Sequence, residues 1–152
     1  MTEIASRSAS EASRIAEFLG LPRARSIDDL ALVECVRKGF PVKTASVVVK
    51  RIDPDGRFLD PTQIVPKSTL SRRTKAQQPL SREESERILA ISRVFAEVLR
   101  IYRDDTGRSA QFLVHPHPLL GGETPMQLAV GSIAGAELVL KLLDRADAGV
   151  AV

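Results

Sequence analysis

Between Ser81 and Tyr102 the chain carries one unbroken amphipathic pattern, and that pattern leaves few folds open. Ser81 and Glu84 have the spacing of a capping box, in which hydroxyl and carboxylate each accept a backbone N–H that the first helical turn leaves unpartnered. Ile88, Ile91, Phe95, Val98, Leu99 and Tyr102 then form one stripe at helical spacing, with Arg87, Arg93, Glu97 and Arg100 mostly off it. A helix with one apolar stripe must lay it against other elements. Its neighbours read as shorter helices cut by Pro and Gly, so the expected fold class is all-α.

At 152 residues the chain fits one domain, or two small helical units sharing a core. It has no Trp and a single Tyr, so that core must be mainly aliphatic. The only cysteine, Cys35, excludes an internal disulfide and a multi-cysteine metal site. It lies in the apolar run Leu30 to Val36 and reads as a small buried hydrophobe rather than a reactive thiol. Met1 to Ser13 is rich in Ser, Ala and Arg without a signal-type apolar region, and no run approaches a transmembrane length. The expectation is a cytoplasmic protein with no membrane partner. A net charge of +3 is compatible with nucleic acid without establishing it.

Three regions are expected: a flexible tail over 1–25, a helical domain over 26–106 and a small helical unit over 107–152. Within the tail, Ile15, Phe18 and Leu19 suggest a short helix ended by Gly20 and Pro22. Ser26 suits the cap of a second helix with Asp28 and Asp29 in its first turn, Leu30, Val33 and Val36 inward, and Lys38-Gly39 at its end. Residues 41–58 are either a strand, Val47-Val48-Val49, entering an Asp53-Pro54-Asp55-Gly56 hairpin, or a helix from Pro41 to about Ile52. The helix is favoured because its neighbours are helical and no partner strand follows. Asp60 caps a turn over Pro61 to Val65, Pro66 breaks it, and Ser68 to Ala76 forms another helix. Gly107 ends the region after the long helix, and Phe112-Leu113 anchor the chain before a Pro/His loop. Thr124, Pro125 and Gln127 make a second capping box. The helix they start stops at Gly131. A last helix runs from about Ser132 to Asp147 with Ile133, Leu138, Leu142 and Leu143 inward.

The short helix after Pro66 is basic. In a helix-turn-helix the amino-terminal part of the second helix meets base edges, and flanking Lys and Arg hold phosphates. Ser68, Thr69 and Arg72 would face the groove, Lys67, Arg73 and Lys75 the backbone, and Leu70 the core, with Pro61 to Val65 as the motif's first helix. A solvated basic face accounts for the same residues.

Pro66, Ser68, Thr69, Leu70, Arg72 and Arg73, followed by Leu80, Ser81, Glu83, Glu84, Ser85 and Arg87, resemble in order and spacing the Xre-like helix-turn-helix part of the Xre/MbcA/ParS antitoxins. Phe112-Leu113, Pro116, Pro118, Leu120, Gly122, Thr124-Pro125 and Gly135 are similar to the C-terminal toxin-binding domain of the same family. Phe112 stands where that family commonly has Trp, and Ala148-Gly149-Val150 replaces its terminal aromatic-Gly pair. The resemblance covers roughly residues 60–150. It implies the antitoxin of a type II pair, which covers the NAD-using active site of a RES-domain toxin and, as a homodimer on operator DNA, represses its own operon.

Residues 115–152 are the expected toxin-facing region. Leu119, Leu120 and Met126 would supply exposed apolar anchors. Asp144, Asp147 and the carboxylate after Val152 would lodge among positive groups that hold the dinucleotide's phosphates, and Arg145 would pair a toxin acid. Each of these charges also fits a solvated helix end. His115 and His117, with Glu123 nearby, lack the further ligands of a metal site or the partners of a catalytic one. Gly121-Gly122 lacks a phosphate-loop context. No catalytic residue, metal or cofactor is expected, and the chain does not read as an enzyme. The alternative to an antitoxin is a free-standing dimeric helix-turn-helix regulator.

Overall fold

The computed structural model describes residues 9–149, and among them eight α-helices and three 3-10 turns account for the regular structure, with no strand. The helices are α1 (Glu11–Phe18), α2 (Asp29–Lys38), α3 (Thr44–Ile52), α4 (Lys67–Ala76), α5 (Arg82–Ile101), α6 (Thr106–Val114), α7 (Pro125–Gly131) and α8 (Ile133–Asp147). The all-α expectation holds, and the segment 41–58 holds a helix, α3, rather than a strand.

The long helix is the axle of the fold. Ser81 accepts from the Glu84 N–H and Glu84 from the Ser81 N–H, so both halves of the capping box form. The α5 stripe is buried through Ile88, Ile91, Phe95, Val98 and Leu99, and Val94 and Ser92 widen it to a second face. That width lets α5 touch α1, α2 and α3 as well as α6, α7 and α8. One continuous apolar cluster, from Ala12 to Leu143, therefore joins α1 to α8. At its C-terminal end Tyr102 meets Phe112 with ring centroids 6.2 Å apart.

Side chains lock these helices together at two places. The Ser85 hydroxyl donates to the Ser81 carbonyl (2.7 Å) and accepts from the buried Phe40 N–H (2.9 Å). Phe40 in turn accepts from the Leu80 N–H at 2.9 Å, tying the α2–α3 junction to the start of α5. Farther along, the Arg87 guanidinium donates to the Val130 carbonyl (2.8 Å), satisfying one of the orphan acceptors at the C-terminus of α7.

Several expectations need correction. Residues 11–21 are not a flexible tail: Ser10 caps α1, and Ala12, Ile15, Ala16, Phe18, Leu19 and Leu21 are buried. Asp28, not Ser26, caps α2, accepting from the Ala31 N–H at 2.8 Å. Leu30 and Val33 point outward, while Leu32 and Val36 are buried. The run is apolar at nearly every position, so periodicity alone does not choose its inner face. Gly107 lies in the first turn of α6. The chain leaves α5 earlier, through Arg103 and Asp104, both with positive φ, and an Asp104 N–H to Leu99 carbonyl bond of 2.8 Å. On α8, Leu142 and Leu143 are inward as expected, but Ile133 and Leu138 are exposed; Gly135, Ala136 and Val139 take their place.

Candidate functional site

Two surfaces carry the residues singled out above. The first is α4. Lys67, Ser68, Arg72 and Lys75 are exposed, and Thr69 and Leu70 are half-buried. Ser68, Arg72 and Lys75 follow one another at i, i+4 and i+7, so they share one helix face. Arg73 does not join them. Its Nε and Nη2 donate to the two carboxylate oxygens of Glu84 (3.1 and 2.9 Å), and its Nη1 to the Pro79 carbonyl (3.3 Å). This fork fixes α4 against the start of α5, and removes Arg73 from the phosphate-holding role expected of it. Pro61–Gln63 is a single 3-10 turn, too short to serve as the first helix of a helix-turn-helix. The α-helix before α4 is α3. The connection between them is held by Asp53, whose buried carboxylate accepts from the N–H groups of Arg57, Phe58 and Leu59 at 2.8–2.9 Å.

These acids give the fold a pH dependence. Burial alone would raise the Glu84 carboxyl, yet the hydrogen bonds from Arg73 and Ser81 outweigh it and lower it from 4.5. Asp53 is likewise lowered from 3.8, its backbone hydrogen bonds overcoming burial. A carboxylate lowered in the folded state stabilises fully above its unfolded value and stops doing so as the pH falls through the folded one. The urea midpoint is therefore expected to hold above about pH 5 and to fall as the pH drops below about 4.5. Glu84→Gln should lower it near neutrality and flatten part of that fall. An unchanged acid limb in Glu84→Gln would mean that the pair does not contribute.

The second surface is built by the loop after α6 and by α8. His117 organises the loop. Its ring Nδ1 accepts from the Leu119 N–H (3.1 Å), its carbonyl from the Leu120 and Gly122 N–H groups, and its N–H donates to the Glu123 carbonyl. His115 lies outside this turn, exposed, its Nδ1 2.6 Å from the Gln111 carbonyl. Both imidazoles hold backbone, and among the described residues no three His, Cys, Asp or Glu side chains cluster as a metal site would require.

The loop places Leu119 and Leu120 beside α8, where with Leu138, Lys141, Leu142, Asp144 and Arg145 they line an open groove of about 380 Å³. Leu119 (53% exposed) and Leu138 (46%) are its accessible apolar walls, and Lys141, Asp144 and Arg145 its charged rim. Four expected residues thus meet in one place: Leu119, Leu120, Asp144 and Arg145. Others do not. Met126 is buried in the core rather than exposed, because the Pro125 cap directs it inward; Leu120, which floors the groove, is buried too and is not the exposed anchor expected. Asp147 pairs with Arg100 on α5 at 2.8 Å. Val152 lies outside the described residues. Leu138 and Lys141 were missed. In the fold Ala136, Val139 and Leu143 take the inner face of α8, which leaves Leu138, Lys141 and Arg145 together on the outer one.

Comparison with known proteins bears on both surfaces. Residues 98–149 match the family described as the antitoxin Xre/MbcA/ParS C-terminal toxin-binding domain. The match starts in the last turn of α5, upstream of the boundary expected at 107, and contains the whole groove. Over 133 residues the chain is 30% identical to a protein named Antitoxin Xre from Yersinia enterocolitica serotype O:8 / biotype 1B (strain NCTC 13174 / 8081), covering 87% of this chain and 86% of that protein. No described helix is long and apolar enough to cross a membrane.

Proposed function

The chain belongs to the Xre/MbcA/ParS family of antitoxins, and on that premise we propose that it neutralises a RES-domain toxin by seating the groove of Leu119 and Leu138 over the entrance to the toxin's NAD-using site. The observation that carries this reading is an exposed apolar groove with a charged rim inside the toxin-binding domain. The walls supply desolvated contact, and the rim sets orientation. A dinucleotide site gathers positive charge around two phosphates, so the exposed Asp144 carboxylate is the acid suited to enter it. Asp147, held by Arg100, is not. In this reading the chain acts by occlusion, not catalysis, in the cytoplasm.

Leu119→Glu and Leu138→Glu change exposed side chains and should leave the fold intact. Each is expected to weaken toxin binding by about 2 kcal/mol, roughly thirtyfold, and the pair together to abolish growth rescue on co-expression with the neighbouring toxin gene. Full rescue by the double variant would sink the groove assignment. Deleting 115–152 tests less, because it strips Leu120, Val139, Leu142 and Leu143 from the core.

The proposal extends to autorepression by a dimer that reads operator DNA through the Ser68, Arg72 and Lys75 face of α4. Arg72→Ala should weaken operator binding and reduce the salt slope by about one, with no change in melting temperature. Arg73→Ala should lower the melting temperature instead, because it unpairs Glu84. Identical behaviour of the two variants would remove the distinction between a DNA contact and a structural clamp.

A further inference from the structure

The outer wall of the groove, Leu119, stands in a turn whose backbone cannot satisfy itself. That turn is Pro118–Leu120, and its first residue has no N–H. The Leu120 N–H reaches the His117 carbonyl at 3.0 Å. The Leu119 N–H is then the one donor of the turn without a backbone acceptor, and the half-buried His117 ring takes it through Nδ1 at 3.1 Å.

A backbone N–H only donates, so Nδ1 here is the bare, accepting nitrogen of a neutral imidazole. An imidazolium carries hydrogen on both nitrogens and accepts nothing. Protonation therefore does more than remove the cap: it turns two donors against each other. His115 is the opposite case. Its Nδ1 faces the Gln111 carbonyl at 2.6 Å and donates, which an imidazolium does equally well. Of the two histidines in the chain, only His117 is held in a form that acid removes.

The charged groups around the turn do not settle its protonation either way. Glu123 closes the loop through its backbone, and Lys141, Asp144 and Arg145 stand on α8 along the groove. These are two acids against two cations. The flanking helices add little: α7 has no ionisable side chain, and α6 has only Arg108, which faces Asp105 at the far end. None of the ion pairs among the described residues involves a histidine.

We propose that His117 is a positioning residue of the toxin groove: its neutral imidazole fixes Leu119 opposite Leu138, and its protonation releases Leu119 and weakens toxin binding. The consequence for toxin rests on the groove reading given above; the hold on Leu119 does not. The released turn binds one proton more than the binding-competent one. Affinity therefore falls as the pH falls through the range in which imidazoles change charge, by at most about tenfold per pH unit. The fold itself is not the responder, because the carboxylates that limit it in acid, Asp53 and Glu84, act below about pH 4.5.

Calorimetric titration of the full chain with the product of the neighbouring toxin gene, at about pH 7.5 and about pH 5.5, tests this. The wild type should bind about fivefold more weakly at the lower pH, the loss of one hydrogen bond. Asn caps an N–H two residues on and does not titrate, so His117→Asn should bind at both pH values as the wild type does at the higher. His117→Ala should be weak at both, and His115→Asn should keep the wild-type pH dependence. In NMR spectra of the free chain the Leu119 amide shift should follow the titration of the His117 ring. Circular dichroism at both pH values confirms that each protein is folded. A His117→Asn variant that loses affinity with pH as the wild type does, or a His117→Ala variant as tight as the wild type at pH 7.5, would overturn the proposal. The free-chain spectra keep the two readings apart. A Leu119 amide that follows His117 in a chain that binds no toxin sinks only the groove assignment; toxin bound tightly while that amide ignores the ring sinks only the positioning role.

Discussion

Replacing Gly39 by alanine is expected to lower the unfolding free energy by about 3 kcal/mol or more, two effects acting together at one residue. Gly39 ends α2 with φ 89° and ψ 135°, a conformation that residues with a Cβ rarely adopt. A Cβ there would lie 1.9 Å from the Leu80 carbonyl oxygen. That oxygen cannot retreat easily, because the Leu80 N–H is bonded to the Phe40 carbonyl and the Phe40 N–H to the Ser85 hydroxyl. Gly56 supplies the control: its φ is also positive, at 64°, but nothing lies within 4 Å of the position a Cβ would take. Gly56→Ala should therefore show the backbone cost alone, about 1–2 kcal/mol. Urea unfolding of both variants decides the matter. Equal losses would mean that the approach of Leu80 contributes nothing.

Gly39 also shows what the sequence could reveal. Lys38-Gly39 is readable as a helix end because the dipole and the backbone preference are local properties. The second reason for glycine, a carbonyl forty-one residues away, is tertiary and leaves no local trace. The same division runs through the molecule. Both capping boxes, at Ser81/Glu84 and Thr124/Gln127, were legible because they close within one turn, and both form. The stripe of α5 was legible because its polar face is unambiguous. The faces of α2 and α8 were not, since each carries apolar residues on more than one side and only the neighbours decide which go in.

The motif that carried the family resemblance changes meaning in the same way. Leu80, Ser81, Glu84, Ser85 and Arg87 suggested a DNA-associated region by pattern. In the fold each of them holds the structure together. Leu80 is buried, Ser81 and Glu84 cap α5, Ser85 holds Phe40, and Arg87 holds the end of α7. Glu84 and Arg87 lie within one turn of α5 and reach different helices, one α4 and the other α7. The residues that hold the basic helix and those that support the toxin-binding unit thus share one rigid element.

At Gly135, propensity and packing predict opposite signs for the same substitution, and magnitude decides between them. Gly135 sits in the first turn of α8 with helical backbone, where Ala is ordinarily better than Gly by about 0.5–1 kcal/mol. A Cβ there would meet the Leu128 carbonyl oxygen at 2.1 Å and its carbon at 2.8 Å. Those atoms are the backbone of α7, so no side-chain rotation relieves the overlap; the two helices must separate. Overpacking of this kind costs about 1–3 kcal/mol, sometimes more, which exceeds the gain in propensity. Gly135→Ala is therefore expected to destabilise by about 2 kcal/mol or more, and to weaken toxin binding by displacing Leu138 from Leu119. Gly131, the last residue of α7, has helical backbone and nothing within 4 Å of an added Cβ, so Gly131→Ala should be neutral or stabilising by up to about 1 kcal/mol. In thermal melts Gly135→Ala should fall below the wild type, and Gly131→Ala should not. If Gly135→Ala melts at or above the wild-type temperature, α7 and α8 do not pack as closely as the Leu128–Gly135 contact requires.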